Sequence, residues 1–468
     1  MRSLCFLKWV FLPLTFFIIF NHSYAKRIQS TSNPFNATQF INQISQWRAH
    51  QIELQNTQKG LSVPIILAAV LCFMAGSISS AGGIGGGGLF VPILNIVAGL
   101  DLKTASSFSA FMVTAGSVAN VFCNFYFKNP KYGGKVLTDY DIVLLSEPCM
   151  LLGVSIGVIC NIIFPEWLIT ILFAVFIAWT TFKTCKSGFS YWKSESDEAW
   201  LNGSEEESRI GSVKEEVCDG NGGEESLKQP LLGGREEGGF EVPWKKLGIL
   251  VMIWFSFFAL QLIRGDKKAE DGQSIIQIEP CGVAYWTISA SQVPLAIIFT
   301  AWILYHTREQ GQASHKQIGV PITRQPSSKL LFPIMALLAG GLGGVFGIGG
   351  GMLISPLLLQ VGILPEVTAA TCSFMVLFSS SMSAVQYLLA GVNHINKIII
   401  FSIGTFVASL LGLLVVQRAI VKYGRASLIV FSVSTVMAIS TVLVTTFGAI
   451  NVWKDYTSGK YMGFRLPC

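Results

Sequence analysis

Charge is what this chain has least of. Of its 468 residues only 13% are Asp, Glu, Lys or Arg, against roughly 25% in a typical soluble protein. A soluble surface of this size needs more charge than that, so two or three soluble domains are excluded. The ten Cys form no CxxC pair and no Cys/His spacing suited to zinc. Neither a metal nor a cofactor is therefore expected. Net charge is only +6, too mild for a nucleic-acid partner. No HExxH occurs, and no paired catalytic Asp lies in an apolar segment, so an enzyme is not expected.

Apolar residues fill the space that charge leaves. Mean hydropathy is +0.55, and 33 Phe contribute to an aromatic share of 12%. Apolar runs recur near 61–80, 89–99, 104–127, 140–163, 167–185, 246–263, 283–305, 330–346, 352–362, 367–391, 398–417 and 426–448. Most hold the roughly 20 residues that cross a bilayer as a helix. The expected class is an all-α polytopic membrane protein with about 10–12 membrane segments, its main partner the lipid bilayer. The runs 89–99 and 352–362 are half-length, about 16 Å of helix each, and each follows a glycine cluster.

The flanking segments divide as follows. Residues 1–25 carry Arg2 and Lys8, an apolar core from Trp9 to Phe20, and Ser23-Tyr24-Ala25. This is a signal peptide or a signal anchor, which routes the chain to the plasma membrane or an endomembrane through the secretory pathway. Residues 26–60 are polar and lumenal or extracellular, with a glycosylation sequon at Asn36-Ala37-Thr38. Residues 186–243 hold 14 acidic and 6 basic residues and ten Gly, the pattern of a flexible acidic cytosolic linker. Gln229-Pro230-Leu231-Leu232 within it hints at a dileucine sorting signal. Residues 244–328 connect two membrane repeats, and 449–468 form a C-terminal tail.

Basic residues test the topology. If each glycine-broken segment enters and returns to its own side, with residue 60 outside, the short inside loops hold fifteen Lys and Arg. They include Lys128, Lys131, Lys135, Lys245, Lys246 and Arg418. The short outside loops hold five, namely Lys103, Arg264, Lys267, Lys268 and Lys397. The positive-inside rule thus favours hairpin-like broken segments over single crossings.

An internal repeat organises the rest. Residues 75–109 align without gaps to 339–373, an offset of 264, with 15 of 35 positions identical. Gly83, Gly85, Gly86 and Gly87 match Gly347, Gly349, Gly350 and Gly351; Pro92 matches Pro356, Thr104 matches Thr368, and Ser109 matches Ser373. Matching Pro, Thr and Ser in one register argue against shared low complexity. Downstream, Gly157 falls opposite Gly412. Repeat one spans 61–185 and repeat two 329–448, and the charge pattern makes them inverted repeats with glycine-broken half-helices. Corresponding Gly-interrupted segments in two halves point to a transporter's central site.

The glycines admit three readings. Gly83 to Gly88 formally fits GxGxxG, but the strand–turn–helix context of a dinucleotide site is missing, and the copy ends in Met352. Close helix packing explains isolated small residues such as Gly76 and Gly153. It does not explain four consecutive glycines before half a span. Such a break frees N–H groups at the next half-helix's N-terminus, where partial positive charge suits an anion. The helices that follow open with hydroxyls. Thr104 and Ser107, like Thr368 and Thr371, are spaced i,i+3 on one face; Ser109 and Ser373 follow. Their alternative role is back-bonding to carbonyls within the helix. Gly85, Gly86, Gly87, Thr104, Ser107, Ser109, Gly349, Gly350, Gly351, Thr368, Thr371 and Ser373 are the candidate substrate-binding residues.

Glu147 lies about seven residues into its span and is a functional candidate by default. Proton coupling is the role to expect; pairing at the interface near Lys135 is the alternative. Asn120, Asn124, Gln292, Gln386 and His394 are weaker polar candidates. No Lys or Arg is expected well inside any span.

GGIGGGGLFVPIL with LKTASSFSAF, and FGIGGGMLISPLLLQVGILPEVTAATCSFMV, resemble the sulfite exporter TauE/SafE family, in the form of its plant members. The likeness covers 61–185 and 329–448. It implies a secondary transporter of small sulfur-containing anions of the sulfite and sulfonate class. Alternating access around the two glycine hairpins, coupled to protons, is the expected mechanism. The alternatives are an anion channel, and a membrane scaffold or receptor acting through the acidic linker. A homo-oligomer stays open.

Overall fold

The computed structural model describes residues 63–80, 82–83, 86–126, 138–215, 244–264, 282–313, 326–392, 395–423, 427–459 and 463–464. The leader, the sequon and His394 lie outside the described residues. So do Lys135, residues 216–243 of the acidic stretch and the dileucine-like run.

Among the described residues the secondary structure is helical throughout. In hydrocarbon each backbone N–H and C=O must be satisfied within its own segment, and the helix achieves that locally. The first repeat comprises α1 (Val63–Ser80), α2 (Gly87–Ile96), α3 (Leu102–Tyr126), α4 (Tyr140–Ile163) and α5 (Glu166–Glu215). The connector contributes α6 (Trp244–Arg264) and α7 (Val283–Ala313). The second repeat comprises α8 (Pro326–Phe346), α9 (Gly351–Gln360), α10 (Pro365–Leu389), α11 (Ile395–Tyr423) and α12 (Ser427–Thr457). Nine of these are long and apolar enough to cross a membrane, judged on the described residues. The protein is an integral, multi-pass membrane protein. The two half-length runs form α2 and α9, ten residues each.

Packing joins the repeats crosswise. A Cβ on Gly153, Gly157, Gly340 or Gly344 would fall within 2.7 Å of a carbonyl oxygen of the facing helix, so α4 and α8 touch backbone to backbone. Gly153 faces the Leu337 oxygen, Gly157 the Gly341 oxygen, and the Asn161 amide donates to the Val345 oxygen at 2.6 Å. Each step of four on α4 is a step of four on α8, so the two helices run parallel. α1 and α11 pack in the equivalent way, with Gly412 against the Ser77 oxygen and Gly76 against Ala408 and Thr405.

α4 also runs parallel to α10. At one end the Asp139 N–H donates to Thr371 Oγ1 at 3.0 Å; farther along, the Gln386 amide donates to Ser155 Oγ at 3.1 Å. Since α8 and α10 both run with α4, the short α9 between them must run back. The second glycine-broken segment is therefore a hairpin, the arrangement that the basic residues favour. α3 and its equivalent α10 cross antiparallel, with Thr114 on Ser380 at 3.1 Å and Phe125 on Phe374. That is compatible with inverted repeats. α4 and α10 are enclosed, with 78% and 72% of their apolar windows buried, whereas α7 at 17% lies at the periphery.

α5 continues past residue 185 through the first part of the acidic stretch. On this extension Tyr191 donates to the carbonyl oxygens of Leu359 and Ile363, at 3.2 and 3.1 Å. Glu195 accepts from the Ser427 N–H at 2.9 Å and from its hydroxyl at 2.5 Å. The helix thus grips the exit of α9 and the start of α12.

Candidate functional site

The two glycine breaks meet each other. A Cβ on Gly87, the first residue of α2, would stand 2.6 Å from the Cα and the carbonyl oxygen of Ile348, in the break before α9. Each break also docks on the third helix of the other repeat. A Cβ on Gly83 would stand 2.0 Å from the Ala369 oxygen of α10 and 2.8 Å from Ser373 Oγ; one on Gly347 would stand 1.9 Å from the Ser106 oxygen of α3. Both are in the left-handed region, φ +69° and +64°, where only glycine is at ease. No L side chain fits either position.

Gly86 and Gly350 precede the half-helices, and neither helix start carries a side-chain cap. Gly86 has φ +86°, whereas Gly350 is right-handed and Gly349 takes the positive φ of +72°. The Gly350 N–H donates to Ser379 Oγ of α10 at 3.3 Å. Gly86, Gly87, Gly349, Gly350 and Gly351 are all buried; Gly85 lies outside the described residues. Contact between Gly87 and Ile348 brings two helix N-termini together, so their partial positive charges add over a short distance.

The predicted hydroxyls divide. Ser107 donates to the Thr104 oxygen at 2.7 Å and Ser373 to the Ala369 oxygen at 2.9 Å, so both back-bond within their helices. Thr368 donates to the Ile363 oxygen at 3.4 Å, and Thr371 accepts the Asp139 N–H. Thr104 is half-buried at the start of α3. Ser109 is fully buried, and its hydroxyl has no partner among the described residues. Sequence reasoning grouped these six by register; the structure leaves Ser109 as the buried one with capacity to spare.

Glu147 is fully buried on α4, and neither carboxyl oxygen has a partner among the described residues. Asp139, just before α4, caps it by accepting from the N–H groups of Asp141 and Ile142. Burial pushes the Asp139 carboxyl above the usual carboxylate range, while those backbone N–H groups hold it down.

Two features escaped the sequence. Arg264, counted there as a loop residue, ends α6 about nine-tenths buried, over the Tyr285 ring at 5.2 Å. Gln261, one turn earlier, is fully buried and donates to Ser155 Oγ at 2.9 Å. The run around Gln261 is apolar on every side, so no periodicity in it marks Gln261 as facing inward. Gly153-Val154-Ser155-Ile156-Gly157 spells the GxSxG of a hydrolase nucleophile elbow, which needs a strand-to-helix turn and a histidine partner. Ser155 instead sits mid-helix, donating to the Leu151 oxygen and accepting from two glutamine amides. Among the described residues no cluster of His, Cys, Asp and Glu suits a metal.

The family described as Sulfite exporter TauE/SafE matches residues 4–184 and 286–457. Sulfite exporter TauE/SafE family protein 2 of Arabidopsis thaliana is 56% identical over 463 residues, covering 97% of this chain and 98% of its own length. Family protein 1 of the same plant is 54% identical, covering 97% of each. Family protein 3 is 33% identical, over 86% of this chain and 83% of its own. No solved structure matches the chain.

Proposed function

The chain belongs to the sulfite exporter TauE/SafE family, and from that premise we propose that it is a secondary transporter of small sulfur-containing anions, of the sulfite and sulfonate class. The contact of Gly87 with Ile348 carries this reading, because it sets two uncapped helix N-termini side by side in a buried place. Dipoles and backbone N–H groups bind a small oxyanion without a buried cation. The Ser109 hydroxyl, buried and without a partner among the described residues, supplies a further donor. The back-bonded Ser107 and Ser373 keep the lone pairs and shape of the wall.

Transport follows from the crosswise docking. Each break rests on the other repeat's third helix, through Gly83 on α10 and Gly347 on α3. Sliding one repeat against the other opens one face of the shared site while closing the opposite face. Glu147 takes up and releases a proton in step with the anion. Ser379 accepts the Gly350 N–H on the helix that runs beside Glu147, so the carboxyl and the anion site share α10.

Sulfite flux into proteoliposomes tests the reading. Gly350→Leu and Gly86→Leu are each expected to abolish flux; intact flux in both variants overturns the hairpin site. Flux is expected to saturate with sulfite. Non-saturating single-channel currents would make the protein an anion channel instead. Glu147→Gln is expected to leave flux indifferent to a pH gradient, and a retained response removes Glu147 from the coupling.

A further inference from the structure

A row of buried polar side chains runs from Glu147 toward the Arg264 end of the bundle, and the connector helices complete it. The register of the helices places its members. Thr371 meets Asp139 and Gln386 meets Ser155, so the parallel α10 and α4 keep step and Ser379 stands level with Glu147. α6 runs the same way, because Lys246 pairs with Asp141 at 2.6 Å and Gln261 bonds Ser155. α7 runs opposite, with Thr300 beside Cys149 and Tyr285 beside Arg264. Gln292 falls between those two contacts, near the level of Ser155.

Four helices thus send a polar residue to one level: Ser155 of α4, Gln261 of α6, Gln292 of α7 and Gln386 of α10. That level is eight residues, or about 12 Å of rise, beyond Glu147. Ser383 lies between, on the face of α10 shared by Ser379 and Gln386 at i, i+4 and i+7. All of these side chains are at most 1% exposed apart from Ser155 at 3%. Ser155 is saturated by its three hydrogen bonds. The others are not. Glu147 Oε1 and Oε2, Ser383 Oγ, Gln261 Oε1, Gln386 Oε1 and both polar atoms of Gln292 have no partner among the described residues.

So many orphaned atoms in one row of an enclosed membrane core call for an explanation. Nearly all of them are acceptors. Carbonyl oxygens and a carboxyl repel an anion and need donors, which water and the hydrated proton supply. Packing alone would favour Leu at each of these positions, since an unsatisfied amide in hydrocarbon costs several kcal/mol.

We propose that Gln261, Gln292, Ser383 and Gln386 hold a file of water that carries protons between Glu147 and the Arg264 end of the bundle. The inference rests on the proton-coupled reading above. Ser155 fixes the Gln261 and Gln386 amides so that their oxygens face the file. The water hops the proton; the amides orient it and neither gain nor lose one. Among the described residues the charged groups around Glu147 are few. α8 shows none over Phe332–Phe346, and α10 has only Glu366 at its start. The Lys246–Asp141 pair lies toward one end and Arg264 at the other. On α7 the nearest group is His306, exposed beside Trp302. The connector is therefore part of the transport machinery, through Gln261 and Gln292.

Two fluxes separate the relay from the anion site: sulfite uptake driven by a pH gradient, and sulfite counterflow without a gradient. Gln261→Leu and Gln386→Leu are expected to lower the first by about tenfold or more, as loss of a proton-transfer step does, and to leave the second unchanged. Gln261→Glu keeps an acceptor oxygen and is expected to retain gradient-driven uptake. If both Leu variants keep gradient-driven uptake while the parent is coupled, the relay alone is overturned. If they lose both fluxes together, the residues are structural and the relay is again overturned. If the parent shows no gradient-driven uptake, the coupled reading falls and takes the relay with it.

Discussion

Gly157 of α4 lies directly on the carbonyl oxygen of Gly341 in α8, where a Cβ would stand 2.0 Å from it. The same relation recurs with the halves exchanged: Gly412 of α11 lies on the Ser77 oxygen of α1, where a Cβ would stand 1.9 Å from it. Ser77 and Gly341 are partners in the internal repeat, and so are Gly157 and Gly412. One contact made twice holds each repeat's first helix against the other repeat's fourth. Lipid offers a helix as much apolar contact as another helix does, so association rests on such close backbone approach.

Gly157→Ala and Gly412→Ala should each destabilise the protein by about 1–3 kcal/mol, the usual cost of overpacking. Thermal unfolding of the detergent-purified protein measures it. Gly404→Ala is the control, because a Cβ there meets nothing within 4 Å. Equal melting temperatures for all three variants would show that the glycine contacts do not hold the repeats together.

Gly83→Ala and Gly347→Ala should be more severe. Each places a Cβ at about 2 Å from a carbonyl oxygen and a non-glycine residue at positive φ. The second term alone is worth on the order of 1–3 kcal/mol. Loss of the monodisperse peak in size-exclusion chromatography is the expected result. A folded, monodisperse Gly83→Ala protein would mean that the break does not dock on Ala369.

Thr371→Val removes the acceptor of the Asp139 N–H and leaves that donor orphaned, at a cost of about 1–3 kcal/mol. Thr371→Ser restores the acceptor and should recover most of the loss. Unfolding temperatures of the two variants decide it, since a packing effect would make Val the milder change.

The extension of α5 should matter to stability beyond the membrane. Glu195→Ala removes both acceptors that hold the Ser427 N–H and hydroxyl at the start of α12. A lost cap of this kind costs about 1 kcal/mol. Tyr191→Phe frees the Leu359 and Ile363 oxygens at the exit of α9, at a similar cost. Limited proteolysis of the α5 extension should be faster in both variants. Unchanged cleavage would show that these contacts do not anchor it.

Much of this arrangement could be read from the chain. Gly83 and Gly347 align at one offset, and the structure gives them the same conformation and equivalent neighbours. The basic residues favour hairpins, and the α8–α9 segment leading into α10 forms one. Glu147 stands out as a carboxyl in an apolar run, and it is buried. Gln261 was not visible, because one glutamine near the end of a span looks like an interfacial residue until its neighbour is known. Arg264 was hidden for the same reason: adjacent to Gly265, Asp266 and two lysines, it looks like loop.

The division has a physical basis. Whether a segment enters the membrane depends on its own apolar residues, and whether it is helical depends on bonds within that segment. Both are local, so the sequence alone marked most of the apolar helices and the two half-helices, and its motifs carried the resemblance to the family; it did not show that α5 continues to Glu215. Which helices touch depends on surfaces far apart in the chain, where a missing Cβ or an orphaned amide finds its complement. Only the tertiary structure decided that Gly87 meets Ile348, that each break rests on the other repeat, and that Gln261 of the connector reaches Ser155.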